Sequence, residues 1–165
     1  MIKWLILLLW MGTAVTLTAQ DISLAGDWRF RIDRSDVGVQ EKWYASFITD
    51  DHIQLPGSML TNGKGDAVTL QTKWTGSIYD SSWYFNPRLA KYRAPNNLKF
   101  PFWLTPAKYY AGVAWYQKEI NIPANWKGQH IELFLERCHT ETTVWVDGKH
   151  AGIQNSLSAP HVYDL

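Results

Sequence analysis

One cysteine, Cys138, stands in the 165 residues of the chain, so no intrachain disulfide can form. It lies in the apolar run 131–138, and a small buried hydrophobe is the role that run predicts. Neither sign of charge is in excess: Lys and Arg number 16, Asp and Glu 15. Nucleic acid is therefore not an expected partner, because affinity for it comes largely from neutralising phosphates. No two of His52, His130, His139, His150 and His161 have metal-ligand spacing. The stretch "NGKGD" at 62–66 lacks the rest of a phosphate-binding loop. Ser58 in "PGSML" lacks the second glycine of a nucleophile elbow. Glu132 and Glu136, four apart on a predicted strand, would be separated by about 13 Å, too far to act together across one bond. No catalytic residue is expected from these patterns.

Long apolar runs are also scarce. One occurs at the start, where Lys3 precedes the run from Trp4 to Leu17 and Ala19-Gln20 follows. That layout predicts a secretory signal peptide over residues 1–20. The run is shorter than the roughly 20 residues of a spanning helix. No cysteine adjoins it, which excludes a lipid anchor there. Residues 21–165 then form one domain with room for a sizeable core. Secretion without disulfides points to a bacterial periplasm, with no membrane partner after cleavage.

What is abundant is aromatic: 10 Trp, 8 Tyr and 6 Phe. Such rings fill cores, and they also stack on the apolar C–H faces of sugars while hydroxyls bond at the edge. The chain otherwise reads as strands. "GDWRFRIDR" at 26–34 alternates Trp28, Phe30 and Ile32 against Asp27, Arg29, Arg31 and Asp33, which predicts one buried face and one polar face. "VGVQEKWYASFI" suggests a short helix or turn, and "HIQLPGSM" a strand ending at Pro56-Gly57. "AWYQKEINIP" at 114–123 predicts a strand, "PANWKGQ" a loop, and "HIELFLERC" an alternating strand. In "TTVWVDGKHAG", Asp147-Gly148 marks a type I′ hairpin turn, and "HVYDL" is a further strand. Short strands with tight turns predict an all-β sandwich or jelly roll. Residues 73–112 break the pattern. They are rich in rings and hold Pro87, Pro95, Pro101 and Pro106, and they predict an ordered, functional excursion.

The C-terminal third resembles the sugar-binding, N-terminal domain of glycoside hydrolase family 2. The residues that carry the likeness are Trp115-Tyr116, Ile122-Pro123, Trp126 with Gly128, Glu136-Arg137, Val144 to Gly148, Gly152, and Pro160 to Leu165. "LAGDWRFRID" and "IQLPGSM" extend it across most of the chain. The resemblance implies a galactose-binding-like jelly-roll sandwich and a retaining glycosidase of β-galactosidase or β-glucuronidase type. In that family the domain precedes an immunoglobulin-like domain and a (β/α)8 barrel holding the two catalytic Glu. Those domains would be the partners of this chain, with a glycan as substrate. An end on the strand 161–165 is what a piece of such a protein is expected to show.

The resemblance further implies two segments near the sugar. Asn97-Leu98-Lys99-Phe100-Pro101 matches one, and Gln154-Asn155-Ser156 the other. In β-galactosidases the position of Asn155 is an Asp that helps hold sodium. An amide lacks the charge that favours sodium, so no cofactor is expected. The candidate sugar-binding residues are Asn97, Gln154 and Asn155, with Trp83, Trp103 and Tyr109 as stacking platforms. Turn chemistry at Asn97, loop capping at Asn155 and simple packing of the rings remain open beside those roles. Trp28, Trp115 and Trp145 fall in strand patterns and predict core or interdomain surface. A stand-alone carbohydrate-binding module and a purely structural or partner-docking sandwich remain open as functions.

Overall fold

The computed structural model describes residues 20–46, 51–72, 81–101 and 105–165. Except for Gln20, the leader predicted over 1–20 lies outside the described residues. Among these residues no helix is long and apolar enough to cross a membrane. Strands dominate: β1 (Gly26–Asp33), β2 (Asp51–Leu55), β3 (Asp66–Ala67), β4 (Lys108–Tyr109), β5 (Val113–Gln117), β6 (Glu132–Leu135), β7 (Glu141–Val146), β8 (Lys149–Asn155) and β9 (His161–Asp164). A one-turn helix, α1 (Ser82–Phe85), and a 3-10 helix over Pro87–Tyr92 interrupt them.

All pairings are antiparallel. β1 is central in a three-stranded sheet with β2 and β5 on its flanks, β6 pairs with β9, β7 with β8, and β3 with β4. This is the all-β sandwich that the strand pattern predicts.

The core forms on both faces of β1. On one face Phe30 is 1% exposed and meets Tyr116 edge-to-face at 5.2 Å, while Trp28 pairs with Ile53. On the other, Trp115 lies opposite Arg31 and begins an aromatic column. Trp145 stacks on Trp115 at 5.1 Å, Tyr44 stacks on Trp145 at 5.2 Å with planes 4° apart, and Trp43 tilts onto Trp115. The Arg31 guanidinium lies 3.7 Å over Trp43. Each such ring pair is worth about 0.5–1.5 kcal/mol beyond its buried area. The column joins the β7–β8 hairpin to the three-stranded sheet.

That second face corrects the alternation read from the sequence. Asp33 is only 2% exposed, not on a polar face. Its carboxylate accepts from the Val37 and Gly38 amides at 3.0 and 2.7 Å and from Trp115 Nε1 at 3.2 Å. Burial alone would push the carboxyl up, but these donors outweigh it and hold its pKa below the ordinary value. Gly38 is needed for space: a Cβ there would meet Trp115 Nε1 at 2.3 Å.

The strand predicted over 114–123 is also shorter, ending at Gln117. Beyond it the Lys118 ammonium, rather than further strand amides, meets the carbonyls of Ala25 and Asp27 at 3.4 and 3.0 Å. Ile120 and Ile122 are left exposed. Elsewhere the hairpin forms as predicted, with Asp147 and Gly148 at φ 49 and 76 in the turn. Glu132, Phe134 and Glu136 alternate outward against Ile131, Leu133 and Leu135. Cys138 is half-buried, and burial raises its thiol pKa.

Candidate functional site

The predicted site residues fall in three places. The first is the end of the β7–β8 hairpin. A two-residue turn pairs Val146 with Lys149 and Trp145 with His150, but then Val144 meets Gly152, so Ala151 is an extra residue on β8. This bulge shifts the register by one and turns every later β8 side chain to the opposite face. Asn155 therefore faces Glu141, and Gln154 faces Thr142.

The consequences for the two amides are opposite. Gln154 is half-buried, and its Nε2 donates to the Val162 carbonyl of β9. Asn155 is exposed, and its Nδ2 donates to Glu141 Oε2 at 3.2 Å. That bond uses one of the two N–H groups of the Asn155 amide; its second N–H and its oxygen remain for a polyhydroxylated ligand. The Glu141 carboxylate is an additional acceptor beside it. Ser156 then folds back: its amide donates to Thr140 O at 2.8 Å, and its Oγ accepts from Ala159 N at 2.9 Å.

The second place is the excursion. Asn97 is exposed, its amide N–H bonds Ala94 O at 3.0 Å, and its Nδ2 donates to Lys91 O at 3.1 Å. These are local turn bonds. Trp83 is 5% exposed, with the edge of Tyr84 at 4.8 Å and the Arg93 guanidinium 5.9 Å over its ring. Arg93 also donates to the Trp83 carbonyl. A sugar could stack on Trp83 only by displacing these neighbours. Trp83 Nε1 is buried and finds no acceptor among the described residues. Trp103 lies outside the described residues.

The third place is a cleft of about 650 Å³ beside Tyr109, bordered by Asp33, Arg34, Asp66 and Tyr110. Arg34 and Asp66 form a two-bond ion pair at 2.7 and 2.8 Å. The Tyr110 hydroxyl donates toward the carbonyls of Val113 and Asp33 at 2.9 and 3.1 Å. Burial raises the Tyr110 pKa despite the nearby Arg34. Trp83, Asn97, Gln154 and Asn155 do not line that cleft, and no group of His, Cys, Asp and Glu among the described residues suits a metal ion.

The sequence reading missed Glu141, because its pairing with Asn155 depends on the bulge. It also missed Asp33 and Arg34 at the cleft: strand alternation assigned Asp33 to solvent and made no assignment for Arg34.

Comparison with known proteins completes the description. The sequence model of the glycosyl hydrolases family 2 sugar binding domain matches residues 22–165. The fold is similar to that of a Ruminococcus gnavus β-glucuronidase in complex with uronic deoxynojirimycin, at 19% identity and a TM-score of 0.57 over 90% of this chain. It is also similar to the same enzyme in complex with an N1-substituted uronic isofagomine, at 18% identity and a TM-score of 0.58 over 90% of this chain. A Lactobacillus rhamnosus β-glucuronidase matches 89% of this chain at 18% identity and a TM-score of 0.55. The chain spans 20%, 20% and 19% of those three chains, respectively. At such identity the likeness is one of fold. With the family match over nearly all of its length, the chain belongs to the glycosyl hydrolases family 2, as the sugar binding domain of that family.

Proposed function

We propose that this chain is the N-terminal sugar-binding domain of a secreted, periplasmic glycosidase that hydrolyses O-glycosyl bonds in a glycan. A barrel elsewhere in the same polypeptide, following an immunoglobulin-like domain, carries the chemistry. The observation that supports this most strongly is the pairing of a family match over residues 22–165 with a chain that spans about a fifth of the similar glucuronidases. The similar structures are β-glucuronidases, so glucuronides head the substrate classes, with β-galactosides next.

Asn155 is the residue assigned to the sugar. It is exposed at the end of a strand, its amide oxygen can accept, and Glu141 adds a second acceptor beside it. Such a pair suits two neighbouring hydroxyls of a pyranose. The test is to express the full-length polypeptide and assay a panel of aryl β-glycosides. Release of the aryl group from a glucuronide or galactoside is the expected result. No turnover of any glycoside by folded full-length protein would overturn the proposal.

A further inference from the structure

We infer that His161 is a positioning residue: its buried imidazole sets the Gln154–Ser156 loop and thereby the Glu141–Asn155 pair. The inference rests on the reading of Asn155 as a sugar contact. His161 is 0% exposed, on β9, and touches the residue that follows each member of that pair. Its Nδ1 lies 2.6 Å from Thr142 Oγ1, one residue after Glu141. Its Nε2 lies 3.3 Å from the Ser156 carbonyl, one residue after Asn155. One ring thus bridges β7 and the residue that follows β8, next to both outward residues.

The proton positions follow from the partners. The Ser156 carbonyl only accepts, so Nε2 carries the hydrogen and Nδ1 of the neutral ring accepts from the Thr142 hydroxyl. The one hydrogen of the Tyr163 hydroxyl is in turn shared between Thr142 Oγ1, 2.5 Å away, and the Thr142 carbonyl, 2.8 Å away. Every member has a partner, and a satisfied buried network is rigid. Gln154 is fastened to Val162 on the same inner side. The loop therefore has four anchors in residues 140–142 and 161–163: Ser156 N to Thr140 O, Ser156 O to His161, Gln154 to Val162, and the register pair Thr142–Gln154. A polar residue that meets substrate needs such a supporting shell, because small misplacements cost large factors in rate. His161 itself touches no substrate.

The experiment uses the full-length enzyme with Thr142→Val, which removes the donor to His161 at nearly constant volume, and Thr142→Ser, which keeps it. His161→Gln is the second variant, for the case that Thr142→Val does not fold. Measured are kcat/KM below the melting range, amide hydrogen exchange over residues 154–159, and the same substitution in an Asn155→Ala background. Thr142→Val should lower kcat/KM about tenfold and speed loop exchange, Thr142→Ser should restore both, and no further loss should appear on top of Asn155→Ala. An unchanged kcat/KM in folded Thr142→Val, beside a reduced one in Asn155→Ala, overturns the positioning role and leaves the sugar contact standing. An unchanged kcat/KM in Asn155→Ala overturns the sugar contact, and the inference with it.

Discussion

The hairpin end at 154–156 and the excursion at 81–101 both carry an asparagine expected near sugar, yet they are built differently. At the hairpin end the polar bonds join it to other strands of the sandwich: Gln154 to Val162 on β9, Ser156 to Thr140 just before β7, and His161 of β9 to Thr142 of β7. In the excursion they stay local: Asn97 to Lys91, Arg93 to Trp83, Lys99 to Tyr92. The first loop is placed by the whole sandwich, whereas the described bonds place the second mainly by itself. Precision at a binding site favours the first. Local opening at low cost favours the second.

The largest expected effect concerns the column that joins the hairpin to the sheet. Trp115→Ala should cost about 3–5 kcal/mol, since it leaves a cavity among Trp43, Trp145 and Asp33. Denaturant unfolding monitored by fluorescence checks this. A cost near that of a surface substitution would break the contrast, because the hairpin would then not depend on the sheet.

Asp33→Asn should follow, at about 2–3 kcal/mol, because an amide nitrogen would face donors that now meet a carboxylate. Its pH dependence has a fixed sign. The folded pKa of Asp33 lies below its ordinary 3.8. The stability it contributes is therefore present above that value and lost as pH falls through the lower, folded one. The gap between wild type and Asp33→Asn should narrow as the solution is acidified below 3.8. A gap that widens there would contradict the hydrogen-bonded assignment.

Trp83→Phe should be the mildest, within about 1 kcal/mol of wild type or stabilising, because it removes a buried N–H that has no acceptor among the described residues. A thermal scan decides it. A large loss would mean that the indole nitrogen has a role, which would bring the excursion closer to the hairpin in kind.

Much of this was legible in the sequence. Asp147-Gly148 announced the hairpin, alternation announced β1 and β6, and the ordered motifs from Trp115 to Leu165 announced the family. What stayed hidden was register and the second face. No residue type marks Ala151 as a bulge, yet the bulge decides that Asn155 faces Glu141 and that Gln154 turns inward. Asp33 followed the polar side of an alternating strand, and only the approach of Trp115 across Gly38 explains its burial. His161 read as one of five unclustered histidines, because its partners Thr142 and Ser156 come from separate strands and loops.

The most direct measurement sets the two asparagines side by side in the full-length polypeptide proposed above, with kcat/KM on the best glycoside as the readout. Asn155→Ala should lose about 1–3 kcal/mol of transition-state stabilisation, roughly tenfold or more in rate. Asn97→Ala, whose amide is engaged with Lys91, should stay within about twofold of wild type, as an exposed turn residue does. A loss at Asn97 with none at Asn155 would contradict the account.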